Sequence, residues 1–491
     1  MRRFSFINDN YLNAVNFVII ILMEKDNRYL TYDEIITIAK DCVGKTFGEL
    51  GLESRNKYNK GGLGGFVEEN VFNYSSNNDS HPDFIDAGIE LKVTPVKKNL
   101  DGSFSSKERL VLNMINYVDE VDKTFETSSF YLKNKKILVL FYLWTKGQSE
   151  TSFKITNFNI FEFEHSSYFY TIKKDWQIIH QKISDGKAHL ISESDTTFLS
   201  ACTKGANSKV LTTQPNSIIR AKPRAYAFKN GFMTRIYRQL IHEIAPYSSF
   251  VSEDEWMKNT LEEIYKEKLS KYNGKTINEL KHIFHIKNNP KDITSRVAQK
   301  MLGLTGNNYA TQEMNDANIK LKTVRLSLNG TPKESMSFKT FDFRELINTP
   351  WEESSIRDDF VDWKLMLFIF RQKDTGEFYF DKVLFWNLPN NIVDGKIREM
   401  YEKSAELLRK GMIIKEVDSK GHNIDYFPKE SLERGGNGVC HIRPHGRNAL
   451  DTFTLPVPDK LTGITTYTKQ SFWFNKLFIK KIIEDLEDGN I

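Results

Sequence analysis

Apolar and polar residues alternate through Ile89-Glu90-Leu91-Lys92-Val93, and this period of two predicts a half-buried strand. Successive strand side chains point to opposite faces. Glu90 and Lys92 therefore share one face, while Ile89, Leu91 and Val93 are expected to face the core. Gly88 permits a tight turn just before the strand, which would bring Asp83 back beside Glu90. Lys136-Ile137-Leu138-Val139-Leu140-Phe141 reads as a second, nearly continuous apolar strand, and Glu255–Tyr272 as an acidic amphipathic segment. Near the start, Ala14–Met23 (AVNFVIIILM) is about half the length of a membrane-spanning helix. Glu24-Lys25-Asp26 follows at once, with no small-residue cleavage site. Residues 1–23 are therefore expected to be an extension, either a packing strand or the product of a start codon assigned upstream of Met23.

The same pattern occurs twice. Gly44-Lys45-Thr46-Phe47-Gly48-Glu49-Leu50 recurs 230 residues later as Gly274-Lys275-Thr276-Ile277-Asn278-Glu279-Leu280, and Asp86–Lys92 falls on Asp316–Lys322 at that offset. Further on, Phe125–Phe130 parallels Trp351–Ile356, Lys136–Phe141 parallels Lys364–Ile369, and Lys229–Phe232 parallels Lys469–Phe472. Repetition over this length predicts two copies of one α+β domain, at residues 24–252 and 253–491, with the boundary near Ser252–Glu255. Gly61-Gly62-Leu63-Gly64-Gly65 lacks the Gly-Lys-Ser/Thr ending of a phosphate-binding loop, and Gly44-Lys45-Thr46 lacks its upstream glycine. Both read as turns and helix starts.

Composition adds few constraints. The 491 residues are 40% hydrophobic and 27% charged, an ordinary globular balance with room for two cores. A net charge of +5 permits a local nucleic-acid-binding patch without requiring one. Cys42, Cys202 and Cys440 are odd in number and far apart, which argues against a disulfide framework or a cysteine-rich zinc site and fits a reducing cytoplasm.

The candidate chemistry is Pro82-Asp83, six residues, then Glu90-x-Lys92. Two carboxylates and a lysine around one phosphate suit a metal-dependent nuclease, and the hard oxygen donors suit Mg²⁺. Glu-x-Lys also occurs on solvated strand faces. The second copy separates the two readings. Lys92 is kept as Lys322, but Glu90 becomes Lys320, Asp83 becomes Glu313 and Glu68 becomes Ala298. A lysine in place of a ligand repels a divalent cation, so the second copy is expected to fold but not to catalyse.

In order along the chain, Gly44–Leu50, Leu63–Glu68, Asp83–Pro95, Ser105–Leu110, Phe125–Phe130, Lys174-Asp175-Trp176 and Cys202–Asn207 resemble segments of the MutH endonuclease. They resemble equally the GATC-cutting type II restriction enzymes of the Sau-three-A type. The latter resemblance extends from about Tyr32 to the C-terminus, whereas MutH covers one copy. It implies a PD-(D/E)xK fold, a mixed sheet flanked by helices, in each copy. It implies Mg²⁺ on Asp83, Glu90 and the main-chain carbonyl of Leu91, with Lys92, Glu68 and Lys133 as further active-site residues. DNA reading is implied for Cys202–Lys209, with Lys204, Gly205 and Asn207. The second copy's Ile442–Ala449 resembles the MutH reading loop, which puts Arg443 and His445 on DNA. The implied activity is hydrolysis of duplex DNA before the G of 5′-GATC-3′ within a restriction–modification system. The second copy would bind another GATC site as an effector, and the protein would dimerise transiently on DNA. The alternatives are a MutH-type nicking enzyme and a non-catalytic GATC-binding protein.

Overall fold

The computed structural model describes residues 27–53, 62–75, 80–99, 102–204, 210–242, 248–256, 258–305, 310–428 and 437–489. The apolar run Ala14–Met23 lies outside them, as do Gly205 and Asn207 of the expected reading segment. The chain forms two compact units, one of Met1–Ile191 with Phe198–Ala245, the other of Ser192–Thr197 with Pro246–Ile491. The break after Ala245 precedes the expected boundary, and the short segment Ser192–Thr197 belongs with the second unit.

The first unit has a four-stranded mixed sheet of β1 (Glu90–Lys98), β2 (Phe104–Ser106), β4 (Lys136–Leu143) and β5 (Lys154–Glu162), in the order β2-β1-β4-β5. A second sheet has the order β3-β7-β6, from β3 (Leu110–Met114), β6 (Leu199–Thr203) and β7 (Arg224–Phe228). Helices Tyr32–Cys42, Phe169–Ser184 and Asn230–Leu240 pack on these sheets. Thr31 caps the first of them with Glu34 in a capping box, and Ile35, Ala39 and Cys42 form its buried stripe. They join Phe47, Phe66, Phe72, Phe84, Ile89 and Leu91 in the core beneath β1.

The second unit repeats this plan. Its main sheet has the order β11-β10-β8, from β8 (Ile319–Leu326), β10 (Lys364–Gln372) and β11 (Phe378–Asn387). Its second sheet, β14-β17-β9, is built from β9 (Met336–Phe341), β14 (Cys440–Pro444) and β17 (Gln470–Phe474). Two hairpins are added, β12 (Ile414–Val417) with β13 (Asn423–Asp425) and β15 (Thr452–Thr454) with β16 (Thr466–Thr468). Both units are mixed α/β structures with sheets flanked by helices.

The correspondence extends to register. Strands β1 and β4 are parallel with Glu90 opposite Ile137, and β8 and β10 are parallel with Lys320 opposite Leu365. The next strand carries the same irregularity, between Phe141 and Tyr142 in one unit and between Ile369 and Phe370 in the other. Left-handed backbone recurs at matched positions: Gly44 (φ 89°) and Gly274 (φ 78°), Asn73 (φ 53°) and Gly303 (φ 71°), Gly88 (φ 62°) and Asn318 (φ 53°). Only glycine and asparagine tolerate this region readily. One proposed match fails. Lys229–Phe232 begins the helix after β7, whereas Lys469–Phe472 leads into β17. The structural counterpart of Lys229 is Asn475, which precedes helix Lys476–Glu487. Similar residues at opposite ends of the strand produced the false match.

The units differ after the Gly-Lys-Thr turn. Thr46 and Glu49 exchange hydrogen bonds as Thr276 and Glu279 do, but a helix follows only in the second unit, at Ile277–Ile283. In the first unit Gly48 donates to the Thr151 carbonyl at 2.8 Å, and a Cβ there would stand 3.0 Å from that oxygen. That contact holds 47–50 as a turn.

Candidate active site

Residues Ile85–Gly88 form a turn closed by reciprocal backbone bonds between Phe84 and Ile89 (2.9 and 3.1 Å). The turn folds Asp83 back onto the start of β1, where its Oδ2 accepts from the Leu91 amide at 2.9 Å. Ile89 and Leu91 are buried on the core face as expected, and Val93 packs partly buried against the same core. The opposite face is not a solvated one: Glu90 is only 2% exposed.

Lys92 Nζ donates to Glu90 Oε1 at 2.5 Å, and Lys133 Nζ, from helix Ser129–Asn134, lies 3.7 Å from the same oxygen. The other oxygen, Oε2, is buried without a hydrogen-bond partner among the described residues. Burial pushes the Glu90 carboxyl up to about 7, and the Asp83 charge adds to this while Lys92 and Lys133 oppose it. A buried carboxylate oxygen without a partner among the described residues, beside the charge of a second carboxylate, fits an electropositive ligand, while the two ammonium groups hold the other oxygen. No three His, Cys, Asp or Glu side chains among the described residues are grouped to hold a metal by themselves. Asp83 and Glu90 are thus a two-carboxylate set, which suits a cation that keeps waters, such as Mg²⁺.

Glu68 lies in a single π-helical turn, Val67–Val71, continuing helix Gly62–Phe66. Such turns reorient side chains out of α-helical register. Its carbonyl accepts from the Tyr74 amide at 3.0 Å. The Tyr74 hydroxyl is buried without a hydrogen-bond partner among the described residues, and its ring packs edge-on against Phe84 at 5.6 Å. Burial raises its pKa, and the charges of Asp83, Glu68 and Glu90 push the same way. The structure therefore brings Asp83, Glu90, Lys92 and Lys133 together, with Glu68 near. Tyr74 escaped sequence reasoning because a lone tyrosine after a helix carries no pattern.

The counterparts in the second unit have other partners. Glu313, at the position of Asp83, is buried and accepts from the Phe250 and Val251 amides (3.2 and 3.3 Å) and from the Ser249 hydroxyl. Ala298 is fully buried in helix Ile293–Met301. Lys320 and Lys322 occupy the Glu90 and Lys92 positions. Among the described residues the second unit has no carboxylate pair like Asp83 and Glu90.

Two further candidates lie at matched positions in the second sheets. Thr203 pairs with Arg224 at the end of β6, and Pro444 pairs with Gln470 at the end of β14. Lys204 and His445 follow directly, donating their amides to Pro223 O (2.9 Å) and Lys469 O (2.8 Å). Arg443 is exposed and stacks on Trp473, 4.4 Å from the ring centroid. His445 Nδ1 donates to Phe338 O at 2.9 Å, leaving Nε2 as the acceptor in the neutral ring. Burial, with Lys322 and Arg443 nearby, holds this ring below the usual histidine range.

Comparison with known proteins gives these geometries a family. The chain is 34% identical over 486 residues to the type II restriction enzyme Sau3AI of Staphylococcus aureus, spanning 93% of this chain and 99% of that enzyme. The chain belongs to the Sau3AI family of type II restriction enzymes. It is thus a member of a family of site-specific deoxyribonucleases. The family model for the DNA mismatch repair enzyme MutH matches residues 72–175 and 302–394, one segment in each unit. MutH of Shewanella woodyi is 26% identical over 219 residues, 42% of this chain and 90% of that protein. Cys42, Cys202 and Cys440 are free and buried. No helix among the described residues is long and apolar enough to cross a membrane.

Proposed function

We propose that this enzyme hydrolyses duplex DNA before the G of 5′-GATC-3′, with Mg²⁺, as the nuclease of a restriction–modification system. The catalytic domain is residues 24–252, and residues 253–491 form an inactive DNA-binding effector. The observation that carries this reading is the convergence of Asp83, Glu90, Lys92 and Lys133 in the first unit, set against Glu313, Lys320 and Lys322 at the matched positions of the second. Mg²⁺ held by Asp83, Glu90 and the Leu91 carbonyl would supply Lewis-acid stabilisation and a more acidic water. Lys92 orients the attacking water and stabilises charge on the phosphate, and Lys133 supports the same face of Glu90. The hydrogen bond that Asp83 Oδ2 accepts from the Leu91 amide holds Asp83 at the start of β1 beside Glu90. Lys204 reads guanine O6 and N7 in the major groove, with Gly205 and Asn207 beside it.

A single complete site cuts one strand at a time, so double-strand cleavage requires transient pairing of two chains on DNA or sequential nicking. The matching experiment incubates a GATC-containing plasmid with Mg²⁺ and the protein or its Asp83→Ala variant. Linear product with the protein alone supports the reading. DNA binding without cleavage would refute it, and nicked circles as the sole product would favour a MutH-type enzyme.

A further inference from the structure

The charge pattern around β1 is inverted around β8. Helix Ser355–Asp362 corresponds to helix Ser129–Asn134, each starting at a serine cap, Ser354 and Ser128, and this register puts Asp359 where Lys133 stands. The first unit thus sets the Lys133 ammonium against the Glu90 carboxylate, and the second sets the Asp359 carboxylate toward the Lys320 ammonium. Lys339 is ion-paired with Asp359, so this carboxylate is shared. Lys322 adds a second ammonium on the Lys320 face, donating to Ser337 O.

These cations are seated on aromatic rings. Lys320 lies 5.9 Å from the Trp363 centroid, Lys322 4.7 Å from Phe338 and Arg443 4.4 Å from Trp473. Phe338 and Trp363 stack at 5.7 Å, and His445 lies 5.1 Å from Trp473. By strand register Trp473 replaces Ala227 of the first unit, since Phe474 and Phe228 pair with the first residues of β14 and β6. Burial and the neighbouring Lys320 hold the Lys322 ammonium down at about 8. An anion between the two lysines relieves that repulsion. The Lys320 charge also replaces the one feature a carboxylate pair would need from solution, a cation to meet a phosphate.

We propose that the second unit holds a DNA phosphodiester in a metal-free seat, with Lys320 standing in for the divalent cation and Lys322 and Arg443 completing it. This rests on the reading that the second unit binds DNA. It predicts that this unit engages DNA fully in the presence of a chelator.

The test uses the full chain and a short fluorescent GATC duplex in EDTA, with sedimentation to count bound duplexes and anisotropy across a salt series. The unaltered chain should bind two duplexes. Lys320→Glu should weaken the second binding event about tenfold, equally for GATC and scrambled duplexes, and make its salt slope shallower by about 0.9. Lys320→Arg should restore both affinity and slope, and all variants should keep the thermal transition of the unaltered chain. Saturation of the unaltered chain with one duplex, bound by Lys320→Glu with the same affinity and salt slope, would overturn both the DNA-binding reading of this unit and the seat. Two duplexes bound with unchanged affinity and slope by Lys320→Glu would overturn the seat alone and leave that reading standing.

Discussion

Replacing Glu90 with glutamine should abolish cleavage and yet stabilise the metal-free protein at alkaline pH. Glu90 is nearly inaccessible, and its carboxyl is raised to about 7 from an ordinary 4.5, burial being the main cause. Because the folded value is the higher one, the folded unit keeps this proton while the unfolded chain loses it between pH 4.5 and 7. The contribution of Glu90 to stability is therefore present below that window and lost as pH rises through it. At about 1.4 kcal/mol per pKa unit the loss is about 3 kcal/mol above pH 7. The figure already includes the favourable charges of Lys92 and Lys133. Glutamine keeps the volume and removes the titration. Calorimetry of the full chain in EDTA at pH 8 should show the first unit's transition about 6–12 °C higher in Glu90→Gln. The difference should vanish near pH 4.5. Excess Mg²⁺ should raise the unaltered protein and leave the variant unmoved, since only a bound ligand shifts the transition by mass action. An equal or lower transition for the variant at pH 8 in EDTA would refute the view that Glu90 is a strained ligand awaiting a cation.

Lys92→Ala should lower single-turnover cleavage at least about a hundredfold with DNA affinity retained, and a rate within a few-fold of the original would remove Lys92 from the chemistry. Lys204→Ala should narrow the discrimination between GATC and near-cognate duplexes by about 1–3 kcal/mol, measured as a ratio of equilibrium affinities. An unchanged ratio would deny it a reading role. Arg443→Ala should erase any advantage of two-site over one-site plasmids in cleavage rate, and persistence of that advantage would count against the effector role of the second unit.

Much of the site was legible because it is local. The Gly88 turn, the alternation of β1 and the return of Asp83 lie within ten residues, so spacing alone carried them. The duplication was legible because left-handed positions accept few residues, and Gly44, Gly88 and their counterparts preserve that constraint. The burial of Glu90 was not legible, because it depends on what covers the strand from distant segments. Lys133 could be placed at the site only through family resemblance, since the structure brings it there on a helix about forty residues downstream. The Glu90-to-Lys320 half of the charge inversion was legible at the fixed offset, whereas the Lys133-to-Asp359 half emerges when the two helices are aligned on their serine caps. The Lys229 match failed for the same reason in reverse, as short sequence likeness does not say which end of a strand it marks.

The central claim, one GATC-directed cutting unit beside one that only binds, is tested most directly by sequencing the ends of an exhaustive plasmid digest. The plasmid is prepared with and without adenine and cytosine methylation, and the digest contains Mg²⁺. The account predicts double-strand breaks at GATC alone, each fragment beginning with a 5′-phosphorylated GATC, and none with Asp83→Ala. Ends at any other sequence, or breaks that survive Asp83→Ala, would contradict it.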